Sequence, residues 1–196
     1  MHVLVESLWR FQQSLQGENP TAWKLWNEDR MNGQIVGGRP KDEGRLSDAI
    51  IDHFKLDLID RGVVFNREVE IRRGTGGAKG ERTDIKVDAV ARQHDAAPFG
   101  TISVIVEVKG SWNAGLFTDM KSQLVDRYLR ESHCRHGLYV VGWFNCDQWD
   151  DSKDGRKGKP IGYTDEKLDE YLKEQAVKFS VADLSIRAVL LNASLR

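Results

Sequence analysis

The run TISVIVEVKG (Thr101 to Gly110) constrains the fold more than any other stretch of the chain. Its β-branched residues suit a pleated strand, and its apolar density suits burial on both faces, as in a central strand covered by helices. Yet the run closes on Glu107 and Lys109. Side chains alternate along a strand, so these two point the same way. Charges beside an apolar sheet are costly unless they are paired or used. The strand end is therefore either a salt-bridged cluster or a site.

The surrounding pattern predicts a mixed α/β fold. Leu4, Leu8, Phe11 and Leu15 recur at helical spacing, so residues 1–31 read as helical, with a break at GENPTAW and a short second helix carrying Trp23 and Trp26. NGQIVGGRPK reads as a loop and places a boundary near residue 40. Leu46, Ile50, Phe54 and Leu58 predict a helix stopped at Gly62. VVFNREVEIRR, RTDIKVDAVA and TISVIVEVKG predict three successive strands. A helix over 116–132, a strand GLYVVGWFN, a polar loop over 147–164, a helix from Asp165 and a final strand complete the order. The expectation is an α-β-β-β-α-β core, a mixed sheet flanked by helices over 41–196, behind a helical N-terminal extension over 1–40.

Bulk properties exclude little. The chain has 196 residues, 40% of them hydrophobic and 30% charged, which is a globular profile with ample core material. No apolar window is long enough to span a bilayer, and the N-terminus lacks the pattern of a signal peptide. Cys134 and Cys146 provide no disulfide framework, so a reducing cytoplasm is the expectation. A net charge of -1 gives no whole-molecule attraction to nucleic acid, although local basic strips survive it.

The chemistry concentrates around Glu107. Asp88 lies on the preceding strand, and Glu43 lies at the N-terminal end of the buried face of the first core helix, with Asp42 and Asp48 as its competitors. Two carboxylates converging with Lys109 make sense if they hold a hard cation. Asp88 followed by Glu107-Val108-Lys109, with Glu43 upstream, resembles the PD-(D/E)XK nuclease superfamily, over residues 41–145. Val87 stands where that superfamily commonly has Pro before its Asp. Gln123 on the following helix resembles the RecB-like branch, in which a Tyr four residues later shares the helix face. Here Tyr128 is five residues later, off that face of an α-helix.

The resemblance implies a restriction-endonuclease-like core and metal-dependent hydrolysis of DNA phosphodiester bonds. Asp88 and Glu107 would bind Mg²⁺ or Mn²⁺, with the Val108 carbonyl and Glu43 completing the site. Lys109 would orient the attacking water, and Gln123 would hold Lys109 or the substrate. It also implies DNA as partner, and a homodimer if the chain acts as a restriction endonuclease or a junction resolvase. The opening amphipathic helix suggests a domain of a longer protein, such as an effector of bacterial anti-phage defence. The alternative is a non-catalytic DNA-binding or assembly module that keeps the fold.

Weaker motifs sort themselves by spacing. GTGGAKGE lacks the Gly-Lys-Ser/Thr ending of a phosphate loop and joins two strands; its flanking Arg72, Arg73, Lys79 and Arg82 are the candidate contacts to a DNA backbone. DDSKDG fails as a calcium loop, because Ile161 occupies the position that needs Glu. His133, Cys134 and His136 are too tightly spaced for the usual four-ligand zinc patterns. Trp112, just past Lys109, is placed to stack on a base or to wall off the site.

Overall fold

The computed structural model describes residues 1–32, 34–72, 81–91, 100–150, 152, 154–157 and 162–196. A five-stranded sheet forms the centre, in the order β3 (Val63–Arg72), β4 (Glu81–Ala91), β5 (Gly100–Gly110), β6 (His136–Trp143) and β7 (Ser185–Asn192). β3, β4 and β5 run antiparallel, whereas β5, β6 and β7 are parallel. Parallel neighbours need crossovers. The first is a π-helix, Met120–Leu129, and the second is α3, Asp165–Phe179. The sheet is thus mixed, with helices on both faces.

Alternation along β5 and its neighbours divides the core into two layers. Val104, Val106, Val108, Leu138 and Val140 meet α1 (His2–Gln16) and α2 (Glu43–Asp57) in one cluster. Ile105, Tyr139, Val141 and Ile186 meet the π-helix and α3 in the other. Glu107 and Lys109 continue the alternation of Ile105, so they lie on the π-helix side of the sheet.

Each helix on the first face follows from its sequence. Leu4, Leu8, Phe11 and Leu15 give α1 one buried stripe, which shares a cluster with Leu46, Ile50 and Phe54 of α2. Asp42 caps α2 by accepting from the Arg45 backbone N–H at 2.9 Å. Gly62, at φ 63°, supplies the left-handed turn that feeds β3.

Two expectations need correction. Residues 1–40 are not helical after α1 and the 3-10 turn Ala22–Leu25: Trp26–Met31 and Gln34–Pro40 form an antiparallel hairpin, β1–β2. The GQIVGGRP stretch reads as a loop because of its glycines, but Gly38 lies against the buried Trp26 ring, where a side chain would crowd it. The polar loop after β6 is also anchored rather than solvated at its start. Trp149 is buried, and its strand-like bridge to Gly38 ties this loop to the hairpin. Among the described residues no helix is long and apolar enough to cross a membrane.

Candidate active site

The site forms where β4 and β5 part company. Their backbone pairing runs from Ala91↔Gly100 to Ile85↔Val106 and stops there. One step further along the same register stands Asp84, beside Glu107. Its carboxylate replaces the missing strand partner: Asp84 Oδ2 accepts the Val108 backbone N–H at 2.8 Å. The splayed strands leave Asp84, Glu107 and Lys109 on one face at the end of β5.

Lys109 is the hub. Its Nζ donates to Glu107 Oε1 at 2.8 Å and Gln123 Oε1 at 3.0 Å, and pairs with Asp119 Oδ2 at 3.2 Å. Glu43 closes the mouth from α2. Its Oε1 accepts from the Gly110 backbone N–H at 2.7 Å and from Asn113 Nδ2 at 2.8 Å. Its competitors have other work, since Asp42 caps α2 and Asp48 pairs with Arg67 at 3.0 Å.

Acid outnumbers base here. Asp84, Glu107, Asp119 and Glu43 all act electrostatically on one another or on Lys109. Burial, with Asp84 alongside, pushes the Glu107 carboxyl up to about 8, against the pull of Lys109. Burial also raises Asp84, partly offset by the Val108 N–H. For Lys109, burial acts to lower the pKa, but Glu107, Asp119 and Glu43 prevail and raise it.

Asp88 must be corrected. It lies opposite Ser103, whose hydroxyl donates to it, and pairs with Lys86 at 3.2 Å. Ser103 is four residues before Glu107, about 13 Å along a strand. Asp84, Lys86 and Asp88 alternate onto the same face, so only the strand register distinguishes the two aspartates. The residue before Asp84 is Thr83, buried with its hydroxyl directed at the Ile85 and Val106 carbonyls.

Trp112 is also corrected. It packs on Phe144 and edge-on to Trp149, and the Arg156 guanidinium covers its ring at 4.7 Å. It is a packing residue, not an open stacking platform. Arg73 and Lys79 lie outside the described residues. Arg72 and Arg82 sit in β3 and β4, opposite Glu81 and Glu70.

Two site residues escape a reading of the sequence. Asp119 opens the crossover helix one turn before Gln123, a spacing that puts both on one face. Tyr128 is the other. Hydrogen bonds in a π-helix close over five residues, so the turn is wider than in an α-helix. The fifth residue thereby comes round near the face of the first. Tyr128 is buried, and burial with the charges of Glu107 and Asp84 pushes its phenol up to about 12. The one-residue excess between Gln123 and Tyr128 is absorbed by the helix itself.

Among the described residues no three His, Cys, Asp or Glu side chains stand in a ready-made metal cage. However, Glu107 Oε2 is buried without a hydrogen-bond partner, next to an excess of carboxylate. That fits a cation held by Glu107 and Asp84 that keeps most of its own water, as Mg²⁺ commonly does. A scan against protein-family models finds no match to this chain, and neither the curated proteins nor the solved structures include one that matches.

Proposed function

We propose that the chain is a metal-dependent nuclease that hydrolyses DNA phosphodiester bonds, with a restriction-endonuclease-like core. The observation that carries the reading is the buried, unpartnered Glu107 Oε2, set beside Asp84 and Lys109 at the splayed end of β5. An idle carboxylate oxygen in a buried, acid-rich cluster is a cost without a ligand and an asset with one. The helix–three strands–helix–strand order from α2 to β6 also supports the resemblance to the PD-(D/E)XK superfamily.

In this reading Asp84 and Glu107 hold Mg²⁺ or Mn²⁺, with the Val108 carbonyl as a further oxygen. Such a cation lowers the pKa of a bound water and stabilises charge growing on the phosphate. Lys109 donates toward that charge, and Gln123 fixes the ammonium. Glu43 braces the end of β5 through Gly110 and Asn113, which keeps the site geometry. The basic residues Arg72 and Arg82 at the facing ends of β3 and β4, with Arg73 and Lys79 between them in the sequence, are the proposed DNA contacts.

The test is cleavage of plasmid and linear DNA in Mg²⁺ or Mn²⁺. Wild type should cleave, while Asp84→Asn and Glu107→Gln should not. Equal cleavage by all three would end this reading.

A second reading is a DNA-binding or assembly module without turnover. One observation favours it: Lys109 already neutralises part of the acidic cluster, with all three of its N–H groups engaged inside the protein. That reading predicts DNA retention in a gel-shift assay with no metal-dependent product.

A further inference from the structure

The nuclease reading leaves a question about Lys109. A lysine ammonium has three N–H donors. Here they face Glu107, Gln123 and Asp119, and the side chain is almost wholly buried. Of these three acceptors, Glu107 is the one that the proposed cation also claims. The amine therefore needs holders that the cation leaves alone.

Asp119 is built for that task. It is buried, and its Oδ1 accepts from Ser122 Oγ at 3.3 Å while Oδ2 faces Lys109. Its backbone N–H donates to the Gly115 carbonyl at 2.8 Å, which fixes the start of the helix over the site. Gly115 also makes room for the carboxylate, because a Cβ at that position would overlap it. The loop carrying Gly115 is itself pinned, with Tyr139 Oη donating to the Leu116 carbonyl at 3.0 Å. A buried carboxylate, a glycine seat and an anchored loop converge on one ammonium.

We infer that Asp119 is the positioning residue for Lys109: with Gln123 it keeps the ammonium aimed into the site while the Glu107 carboxylate serves the cation. The role in turnover rests on the nuclease reading, whereas the hold on Lys109 does not. In this role Asp119 would contact neither the cation nor the phosphate and would act on the chemistry through Lys109.

The experiment uses the full chain with Asp119→Asn and Gly115→Ala. One arm measures acetylation of Lys109 by acetic anhydride, read by peptide mass spectrometry without metal. Both variants should raise the labelling rate of Lys109 about tenfold, with Mn²⁺ binding by calorimetry retained as proof of an intact site. The other arm measures DNA cleavage in Mg²⁺. Here kcat should fall about tenfold with KM within about twofold, since positioning acts on the chemical step and not on DNA binding. Unchanged labelling in Asp119→Asn overturns the inference outright. Raised labelling beside a wild type that cleaves nothing overturns the nuclease reading and its catalytic consequence, and leaves the positioning intact. A KM rise with kcat unchanged would assign Asp119 to DNA binding and overturn its role through Lys109.

Discussion

Two carboxylate–cation clusters in this molecule use similar groups to opposite ends. At the α1–α2 junction, Asp57 accepts from Ser7 Oγ at 2.6 Å and from Arg10 at 2.8 Å and 2.7 Å, with His53 at 3.9 Å. Both oxygens are engaged, and the Arg10 hydrogen bond is the main reason the carboxyl is held down to about 2. At the end of β5, Glu107 meets Lys109 through one oxygen, keeps the other idle, and is pushed up to about 8 by burial and by Asp84. The first cluster is saturated and fastens two helices. The second holds more acid than base and leaves one buried carboxylate oxygen idle, where the proposed cation would sit. A salt bridge alone does not mark a site; the sign of the shift and the idle atom do.

The largest effect that separates the two clusters is on activity. Asp84→Asn or Glu107→Gln should lower metal-dependent DNA cleavage by about a thousandfold or more, because each removes a proposed metal ligand. Asp57→Asn should leave it within about twofold. A similar loss in all three would erase the distinction.

Stability comes next. Lys109→Ala should cost about 3–5 kcal/mol in denaturant unfolding, since it strands Glu107 and Asp119 in a buried place. Arg10→Ala should cost only about 1 kcal/mol, because Arg10 is half-exposed and water can replace it at Asp57. Comparable losses would mean that the site cluster is not buried in solution.

The clusters also differ in the sign of their pH dependence, measured with a chelator present. Glu107 binds its proton more tightly folded than unfolded. Its contribution is full below its ordinary value of 4.5 and is lost as pH rises through about 8. Asp57 binds its proton less tightly folded. Its contribution is full above 3.8 and is lost as pH falls through about 2. Glu107→Gln should flatten the neutral-to-alkaline arm of the stability profile, and Asp57→Asn the acid arm. A Glu107→Gln profile parallel to wild type above its ordinary value would contradict the shift.

Much of the site is legible in the sequence, and its gaps have physical causes. Glu107 and Lys109 share a strand face by alternation, and Glu43 sits at the buried end of a helix by periodicity. The choice between Asp84 and Asp88 is not legible, because both lie on the same face and only the β4–β5 register decides. Tyr128 is hidden because 100° per residue assumes an α-helix, and the chain uses a π-helix over Met120–Leu129. Asp119 carries a weak signal, one turn before Gln123, which gains meaning only once Lys109 is seen between them. The β1–β2 hairpin is missed because its glycines suggest a loop, although one of them, Gly38, serves close packing against Trp26.

In the proposed nuclease Asp84 and Glu107, not Asp88, would share one divalent cation. Isothermal calorimetry with Mn²⁺ on wild type, Asp84→Asn and Asp88→Asn tests it directly. One binding site is expected in wild type and in Asp88→Asn, weakened at least about tenfold in Asp84→Asn, which loses a proposed ligand. Binding that survives in Asp84→Asn and disappears in Asp88→Asn would contradict it.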